Sequence, residues 1–194
     1  MALSGTNAFN LDVDEVIQEA FERCGLHARS GYDLKSARRS LNLLLAEWAN
    51  RGINLWTVEL RTQTLTASTT SYTLDSDLID ILEAVVYKAS DTTVDMEVDR
   101  MSRAEYLNIS KKSTEGTPTQ YYLLRGQSTP TLYIYPTPDA ADTFKYWGLT
   151  KIQDAGDYED ELDVPTRFLP CLTAGMAYYV SLKKSPDRTP MLKQ

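Results

Sequence analysis

Residues 33–52 constrain the fold more strongly than any other stretch, because they carry a regular helical pattern, DLKSARRSLNLLLAEWANRG. Apolar residues recur there at steps of three and four, which places on one helix face Leu34, Ala37, Leu41, Leu44 and Trp48. We expect Asp33 to cap the first turn and Gly52 to end the helix in a left-handed conformation. A stripe this narrow needs another helix to cover it.

The sequence offers two partner helices, one toward each end of the chain. Residues 12–24 precede a glycine stop at Gly25 and carry an apolar stripe of Val13, Val16, Ile17, Ala20, Phe21 and Cys24. A closing helix is expected from about Pro165 to Lys184, with Asp163 as its cap and with Pro170 deep enough to kink it. Its predicted inner face consists of Phe168, Leu172, Met176, Tyr179 and Leu182, and small residues that allow close approach are Ala174, Gly175 and Ala177.

Between these helices the periodicity changes to that of β-strands. Trp56, Val58 and Leu60 alternate with polar residues, which predicts a half-buried strand with these three side chains inward. A threonine- and serine-rich run follows, and we expect Tyr72 and Leu74 to face inward on its strand.

The next residues predict turns, strands and one short helix. Residues 78–89 fit either period, and we favour a turn near 75–80 followed by a strand over 83–88, with a hairpin turn at 90–92. Ser102 and Glu105 have capping-box spacing, so a short helix should run to about Ile109. Three more strands are expected in QYYLLRG, TLYIYP and TFKYWGLTK.

This order of elements predicts an α+β fold. The economical arrangement is a three-helix bundle formed by both chain ends with an inserted antiparallel β-rich subdomain. We therefore expect N-terminal bundle helices in residues 1–52, the β-subdomain with one short helix in 53–162, and the closing helix and tail in 163–194. The acidic run at 153–163 is expected to be a solvated surface loop.

Composition excludes some classes of protein. The 194 residues carry a net charge of −7, which disfavours non-specific binding to nucleic acid or to an anionic membrane. No apolar run is long enough to span a bilayer, and the N-terminus does not have the pattern of a secretory signal. Cys24 and Cys171 lie in helical patterns, so buried free thiols in a reducing cytoplasm are favoured over a disulfide.

The sequence does not contain a recognisable catalytic constellation. Its single histidine, His27, lies in a predicted loop, away from residues that would complete a zinc site or a nucleophilic triad. The glycines do not form a phosphate-binding loop. Acidic residues such as Glu47 and Glu161 would need an apolar environment to act as a general acid, and most are densely clustered at 157–161. We expect neither an enzyme nor a cofactor.

Aromatic residues crowd the three later strands: Tyr121, Tyr122, Tyr133, Tyr135, Tyr146 and Trp147. Base or sugar stacking uses such side chains, but Arg125 and Lys145 are the basic residues interleaved with them. Strand aromatics more often form core and cross-strand pairs. Because strand residues alternate between faces, some should be exposed and contact a partner.

The whole succession resembles the head-to-tail connector (adaptor, or head-completion) proteins of short-tailed bacteriophages. The shared features, in order, are two helices, the second ending in LNLLLAEWANRGINLW, and then a strand; the Y-T-L-D strand end at 72–75; the turn at 116–118 leading to Tyr121; LYIYPTPD; and the D-x-P opening of the last helix at 163–165. The resemblance extends over nearly the whole chain, although each motif is degenerate on its own.

The resemblance implies a structural virion protein at the neck, assembled in the host cytoplasm. Such proteins form a dodecameric ring below the portal, extend the DNA channel without sequence-specific binding to DNA, close the head after packaging and present a platform to the tail nozzle. Their C-terminal segment commonly reaches into the portal. Candidate portal contacts in the tail of this chain are Lys183, Lys184, Arg188, Met191 and Leu192.

Opposite charges on the two N-terminal helices predict where subunits meet. The acidic flank consists of Glu15, Glu19 and Glu22, and the basic flank consists of Lys35, Arg38 and Arg39. A closed ring joins one face of a subunit to a different face of the next, and these flanks are candidates for the two faces. The alternative is a tail component that binds glycans or hydrolyses peptidoglycan through the strand aromatics and the acidic loop.

Overall fold

The computed structural model describes residues 9–27 and 30–192. Within those residues, the elements in chain order are α1 (Val13–Arg23), α2 (Gly31–Asn50), β1 (Val58–Thr64), β2 (Ser71–Thr73), β3 (Leu78–Lys88), β4 (Asp91–Glu97), β5 (Asp99–Arg100), α3 (Arg103–Asn108), β6 (Gln120–Leu124), β7 (Thr131–Tyr135), β8 (Thr143–Thr150), α4 (Leu169–Lys184) and α5 (Thr189–Leu192). The α+β class, with helices from both ends and a β-rich part between them, is confirmed.

The chain forms two compact units. The helical unit consists of Met1–Trp56 with Ile152–Gln194, and the β unit consists of Thr57–Lys151. The β unit begins after the start, and ends before the end, of the β-subdomain expected at 53–162. Residues 152–162 belong with the helices because Ile152, Ala155 and Leu162 are buried in the helical core.

Helix α1 follows the prediction closely. All six residues of its expected stripe are buried. Asp12 and Glu15 form a capping box at its start, where the Asp12 carboxylate accepts from the Glu15 amide at 2.8 Å. Gly25 follows the helix with φ +65°, the left-handed conformation that glycine adopts without steric cost. Local periodicity and the glycine stop were sufficient to predict this helix.

The N-cap of helix α2 lies three residues before the predicted one. Ser30 is the N-cap and its hydroxyl accepts from the Asp33 amide at 3.2 Å, so the predicted cap at Asp33 was wrong. The Asp33 carboxylate instead pairs with Lys184 at 2.6 Å. Gly52 has φ +69°, as expected at the end of this helix. Of its stripe, Ala37, Leu41 and Leu44 are buried, whereas Leu34 and Trp48 are partly buried.

Helix α4 covers the stripes of α1 and α2. Its buried residues are Leu169, Leu172, Thr173, Met176, Ala177, Val180 and Ser181. Leu182, expected on this face, is 51% exposed, because the α4 face that touches both partners runs through Val180 and Ser181 instead. At Gly175 a β-carbon would lie 3.0 Å from Leu44 Cδ2, so the small residue permits the close approach of α2 that was predicted.

The start of α4 differs from the prediction. A short 3₁₀ turn at Thr166–Phe168 precedes the helix, so Pro170 falls in the first helical turn, where its missing amide leaves no hydrogen bond unmade. It therefore does not kink the helix. Asp163 does not cap α4, since its Oδ2 accepts from the Gln153 amide at 3.1 Å.

The acidic segment at 153–163 is part of the helical unit. Its charged side chains Asp157, Glu159 and Glu161 are exposed, as expected of a solvated loop. Its backbone, however, carries the carbonyls of Tyr158 and Asp160, which accept the first amides of α1 at 3.0 and 3.2 Å. Because these amides cannot bond within the helix, the loop completes the start of α1.

The two cysteines lie in different environments. Cys24 is buried and donates to the Ala177 carbonyl at 3.3 Å, and burial raises the pKa of its thiol. Cys171 is free but exposed, so its predicted burial was wrong. It lies one residue after Pro170 on the side of α4 that turns away from the core.

The β unit contains two four-stranded sheets, ordered β1-β8-β3-β4 and β2-β7-β6-β5. All pairs are antiparallel except β5 with β6. Both sheets contribute to one hydrophobic core, in which Phe144, Leu132 and Tyr121 are almost fully buried. Tyr72 and Leu74 face this core, as predicted.

Three details of the strands differ from the sequence prediction. The turn expected near 75–80 is present at residues 76–77, but β3 begins at Leu78, five residues before the expected strand at 83–88, because it pairs with β8 from Leu78 onward. The β3–β4 turn lies at Ala89–Ser90, one residue before the expected position. The predicted helix α3 and its capping box at Ser102 are confirmed.

The inward direction predicted for the first strand was also wrong. Trp56 belongs to a 3₁₀ turn at Leu55–Thr57, and its indole donates to the Asp163 carbonyl at 3.0 Å. Leu60 pairs in register with Trp147, and both side chains are about half exposed, at 49% and 43%. β8 turns Phe144 and Tyr146 inward, so antiparallel pairing places Leu60 on the outer face.

We expect Leu172→Ala to destabilise the helical unit by about 2–5 kcal/mol, because it removes a fully buried side chain and leaves a cavity. Leu182→Ala on the same helix is the matched control and should change stability by about 0.5 kcal/mol or less, since Leu182 is half exposed. Urea unfolding followed by fluorine NMR of fluorotryptophan-labelled protein measures this, because Trp48 and Trp56 report the helical unit and Trp147 the β unit. Equal effects of the two substitutions would contradict the assigned face.

The hydrogen bonds between Arg61 and Asp77 predict that the β unit loses stability in acid. Arg61 donates to both carboxylate oxygens of Asp77, at 2.9 and 2.6 Å, and these bonds hold the Asp77 pKa below its usual value. The stabilisation is therefore present above the unfolded-state pKa of Asp77 and is lost as pH falls through its lower folded-state pKa.

We expect Asp77→Asn to lower stability near neutral pH by about 1 kcal/mol or less, because solvent screens a carboxylate that is half exposed. The difference from the unchanged protein should vanish in acid. The Trp147 resonance followed in urea at several pH values tests this. Asp95→Asn, whose carboxylate meets Lys145 at 3.4 Å, is the control and should change little. A loss that is the same at every pH would contradict the assignment.

Candidate interaction surfaces

The three predicted acidic residues lie on one flank of α1 and are engaged to different extents. Glu15 accepts from the Asp12 amide at 3.2 Å as part of the capping box. Glu19 accepts from Arg23 Nε at 2.7 Å. Glu22 is exposed, and its carboxylate makes no hydrogen bond or ion pair with any residue that the structure describes. The flank therefore keeps a negative charge that the described chain does not neutralise.

This flank forms the rim of a groove between α1 and the start of α4, which we call the acidic groove. Its volume is about 610 Å³. The lining residues are Phe9, Leu11, Glu15, Gln18, Glu19, Glu22, Arg23, Thr166, Leu169, Pro170 and Thr173. Apolar side chains form much of the surface between the charged groups, and Phe9 is 66% exposed. The groove can accept an apolar side chain flanked by cations.

The three predicted basic residues do not behave alike. Arg38 donates to the Gly156 carbonyl at 2.8 Å, pairs with Asp157 at 3.6 Å and lies 5.4 Å from the Tyr158 ring centre. It thus fastens the acidic loop to α2. Lys35 and Arg39 are exposed and form no ion pair within the described part of the chain.

Lys35 and Arg39 share an outward face of α2 with two exposed apolar side chains that the sequence analysis missed. Tyr32 is 74% exposed and Leu43 is 55% exposed. These four residues, which we call the outer face of α2, recur at steps of three and four, so the signal was present in the sequence. It was hidden because Leu43 lies in the apolar run LNLLLA and looks like a core residue.

Acidic and basic flanks do not meet within one subunit. Among residues 9–27 and 30–192, no ion pair joins Glu15, Glu19 or Glu22 to a basic residue of α2. The α4 residues that contact α2, including Gly175, Tyr179 and Lys183, are not those that line the acidic groove. The two surfaces therefore lie on different sides of the helical unit.

Two of the five C-terminal candidates are held within the chain. Lys183 Nζ donates to Ser40 Oγ at 2.6 Å. Lys184 pairs with Asp33, and the carboxylate raises the pKa of this lysine. Both lysines therefore fasten α4 to α2.

The other three candidates lie in the segment after α4. Arg188 occupies the space beside Gly25, where a β-carbon would clash with its guanidinium group. Thr189 lies 3.0 Å from the Ser181 hydroxyl, and Leu192 packs against the helical core. Met191 is 76% exposed, so it is the apolar residue of this segment that is available to another protein.

The carboxylates considered for catalysis do not have the required environment. Tyr179 donates to Glu47 at 2.7 Å, and this bond, with a smaller contribution from Arg51, lowers the Glu47 pKa. A general acid needs the opposite shift. Glu161 is exposed, and so is His27. Within the described ranges, no cluster of three or more histidine, cysteine or acidic side chains has the geometry to hold a metal ion.

Most strand aromatics pack within the β unit. Tyr121 and Tyr146 are buried. Tyr122 and Tyr133 lie partly exposed with Tyr106 of α3 in one cluster, with ring centres 5.0–5.9 Å apart. Trp147 remains half exposed beside Leu60, which confirms that some strand aromatics face outward.

Comparison with known proteins identifies the family. The model of the SU10 adaptor protein family matches residues 11–192. No curated protein gives a significant match. In the part of the chain that the structure describes, no helix combines the length and the apolar character needed to cross a membrane. The family match extends over both units, and the chain therefore belongs to the SU10 adaptor protein family, the structural head–tail adaptors of bacteriophages.

Proposed function

We propose that this adaptor forms a ring between the phage portal and the tail nozzle, where it extends the DNA channel and closes the head after packaging. The observation that carries the proposal is the pair of oppositely charged surfaces on one helical unit, which do not neutralise each other within the described chain. A dodecamer is the stoichiometry that the resemblance to connector proteins of short-tailed phages implies.

Ring closure requires contacts between unlike faces. A subunit with an acidic groove on one side and a basic outer face on another can repeat the same contact around an axis. Each exposed charge pair contributes only about 0–1 kcal/mol, so apolar contacts must supply most of the association energy. The charges then set register and orientation.

Attachment to the portal is proposed for the segment after α4. Of the candidate contacts in this segment, Met191 and Arg188 are exposed, whereas Lys183 and Lys184 hold α4 against α2 and act indirectly by fixing where the segment begins. A weak contact at each subunit becomes strong when many copies bind a ring-shaped partner together. Binding to the portal would therefore depend on assembly.

The net charge is consistent with a conduit for DNA. A chain with net charge −7 repels phosphates more than it binds them. DNA can then pass through the channel without sequence-specific contacts to the protein, both until the head is closed after packaging and during ejection. We place the protein in the neck of the virion, with assembly in the host cytoplasm.

We expect portal rings mixed with this protein to gain a second ring of density below the portal. Negative-stain electron microscopy of the mixture, with portal rings alone as the control, measures this outcome. Symmetry averaging of end views would give the number of subunits. Portal rings that remain bare at a large excess of the protein would refute the proposed position.

We expect Met191→Asp to weaken co-sedimentation with portal rings by about tenfold or more, because every copy in the ring would lose an apolar contact and gain a charge. The substitution should leave stability unchanged, since Met191 is largely exposed. Leu182→Asp, on a half-exposed residue of α4, is the control and should bind like the unchanged protein. Equal binding of the Met191 variant would exclude this residue as a portal contact.

A further inference from the structure

We propose that the outer face of α2 in one copy docks into the acidic groove of a second copy. This inference rests on the proposed ring and assigns its contact surface. Both surfaces belong to the helical unit. The commitment to a second copy follows from the complementary charges of the two surfaces and from the apolar side chains that both present.

Charge is the first argument. The outer face presents Lys35 and Arg39, which form no ion pair in the described chain. The groove presents Glu15, Glu19 and Glu22, of which one is paired with Arg23. A carboxylate has two oxygens, so Glu19 can keep Arg23 and still accept a second cation. The groove therefore has an excess of negative charge, and the outer face has an excess of positive charge.

Spacing is the second argument. Lys35 and Arg39 are four residues apart, which separates them by about 6 Å along the helix axis. Glu15 and Glu19 have the same separation, and Glu22 follows about 4.5 Å later. Two helices laid side by side can therefore place both cations opposite carboxylates. The matched spacing of charges therefore suits a side-by-side contact between the two helices.

Apolar contact is the third argument. Tyr32 and Leu43 lie at either end of the cationic pair and are 74% and 55% exposed. The groove offers Phe9, Leu11 and Pro170 between and beside its carboxylates. Burying a large apolar side chain contributes on the order of 1.5–3 kcal/mol, which exceeds an exposed charge pair. Leu43 and Tyr32 therefore supply most of the association energy, and the charge pairs set the orientation of the contact.

Both surfaces can be occupied at once in the same subunit. The groove lies beside Leu169, Pro170 and Thr173 of α4, whereas α2 contacts a different side of that helix through Gly175 and Tyr179. A copy bound in the groove therefore does not cover the outer face of α2. The contact can continue from copy to copy, as a ring requires.

Photo-crosslinking tests the contact even if association is weak. A benzoyl-phenylalanine probe replaces Leu43 in isotope-labelled protein, which is mixed with unlabelled protein, alone and on portal rings. We expect crosslinks between labelled and unlabelled copies to peptides of the groove, residues 9–23 and 166–173. A probe at Leu107, an exposed leucine of the β unit, is the control. Equal crosslinking from both probes, or none to the groove in either condition, overturns the proposal.

Charge reversal adds a second readout. Lys35→Glu with Arg39→Glu, and Glu19→Lys with Glu22→Lys, should each reduce the crosslink yield by about tenfold or more, because like charges then face each other. Combining all four substitutions in one chain should restore the yield. Glu15 stays unchanged because it caps α1.

The matched controls reverse equal numbers of charges in the β unit. Lys88→Glu with Lys111→Glu, and Glu83→Lys with Glu97→Lys, change the net charge equally and should leave crosslinking unaffected. Circular dichroism verifies that each variant keeps its helices. Failure of the fourfold variant to recover contradicts the assigned pairing.

The outcome separates this inference from the proposed function. Rings that assemble on portals while the Leu43 probe reacts elsewhere would leave the adaptor role intact and place the subunit contact on another surface. Portals that remain bare, while copies still crosslink through the groove in solution, would refute the portal position and retain the contact between copies.

Discussion

The packing of α4 against α1 and α2 is the constraint on which the rest of the structure depends. Leu172 and Met176 are fully buried there, although they are separated in sequence from their partners by the whole β unit. The inserted chain must therefore begin and end at neighbouring points. It does so next to the first pair of β1 with β8, Val58 with Leu149, where Thr57 and Thr150 exchange hydroxyl-to-carbonyl hydrogen bonds at 2.8 and 2.9 Å. These two hydrogen bonds join the points where the chain enters and leaves the β unit.

The elements that periodicity predicted best are those whose neighbours are local. α1 was predicted with its stripe and its glycine stop, because each depends on residues within a few turns. The start of α2 was wrong because Ser30 and Asp33 are both good caps three residues apart, and Asp33 is needed by Lys184. That pairing is a long-range contact, which no local pattern contains.

Which face of a strand lies inward was harder to predict, for a physical reason. Alternation divides a strand into two faces but does not say which face is inside, and β1 is an edge strand whose register is fixed by β8. Leu60 therefore lies outward with Trp147, whereas Tyr146 on the same β8 strand lies inward. Leu182 shows the same limit on a helix, since it continues the spacing of the predicted inner face and is nevertheless half exposed.

The candidate surfaces show how structure adds to sequence. Lys35, Arg38 and Arg39 look equivalent in the sequence, because each is a basic residue on the same helix. In the structure, however, Arg38 contacts residues 156–158 and helps to hold the loop whose backbone completes the start of α1. The basic residues of this flank that stay unpaired within the described chain are therefore Lys35 and Arg39, which lie at helical spacing beside exposed Leu43. A charge that its own chain already neutralises contributes little to a partner. The surfaces with which an adaptor contacts its neighbours are therefore defined by the groups that folding leaves unpaired.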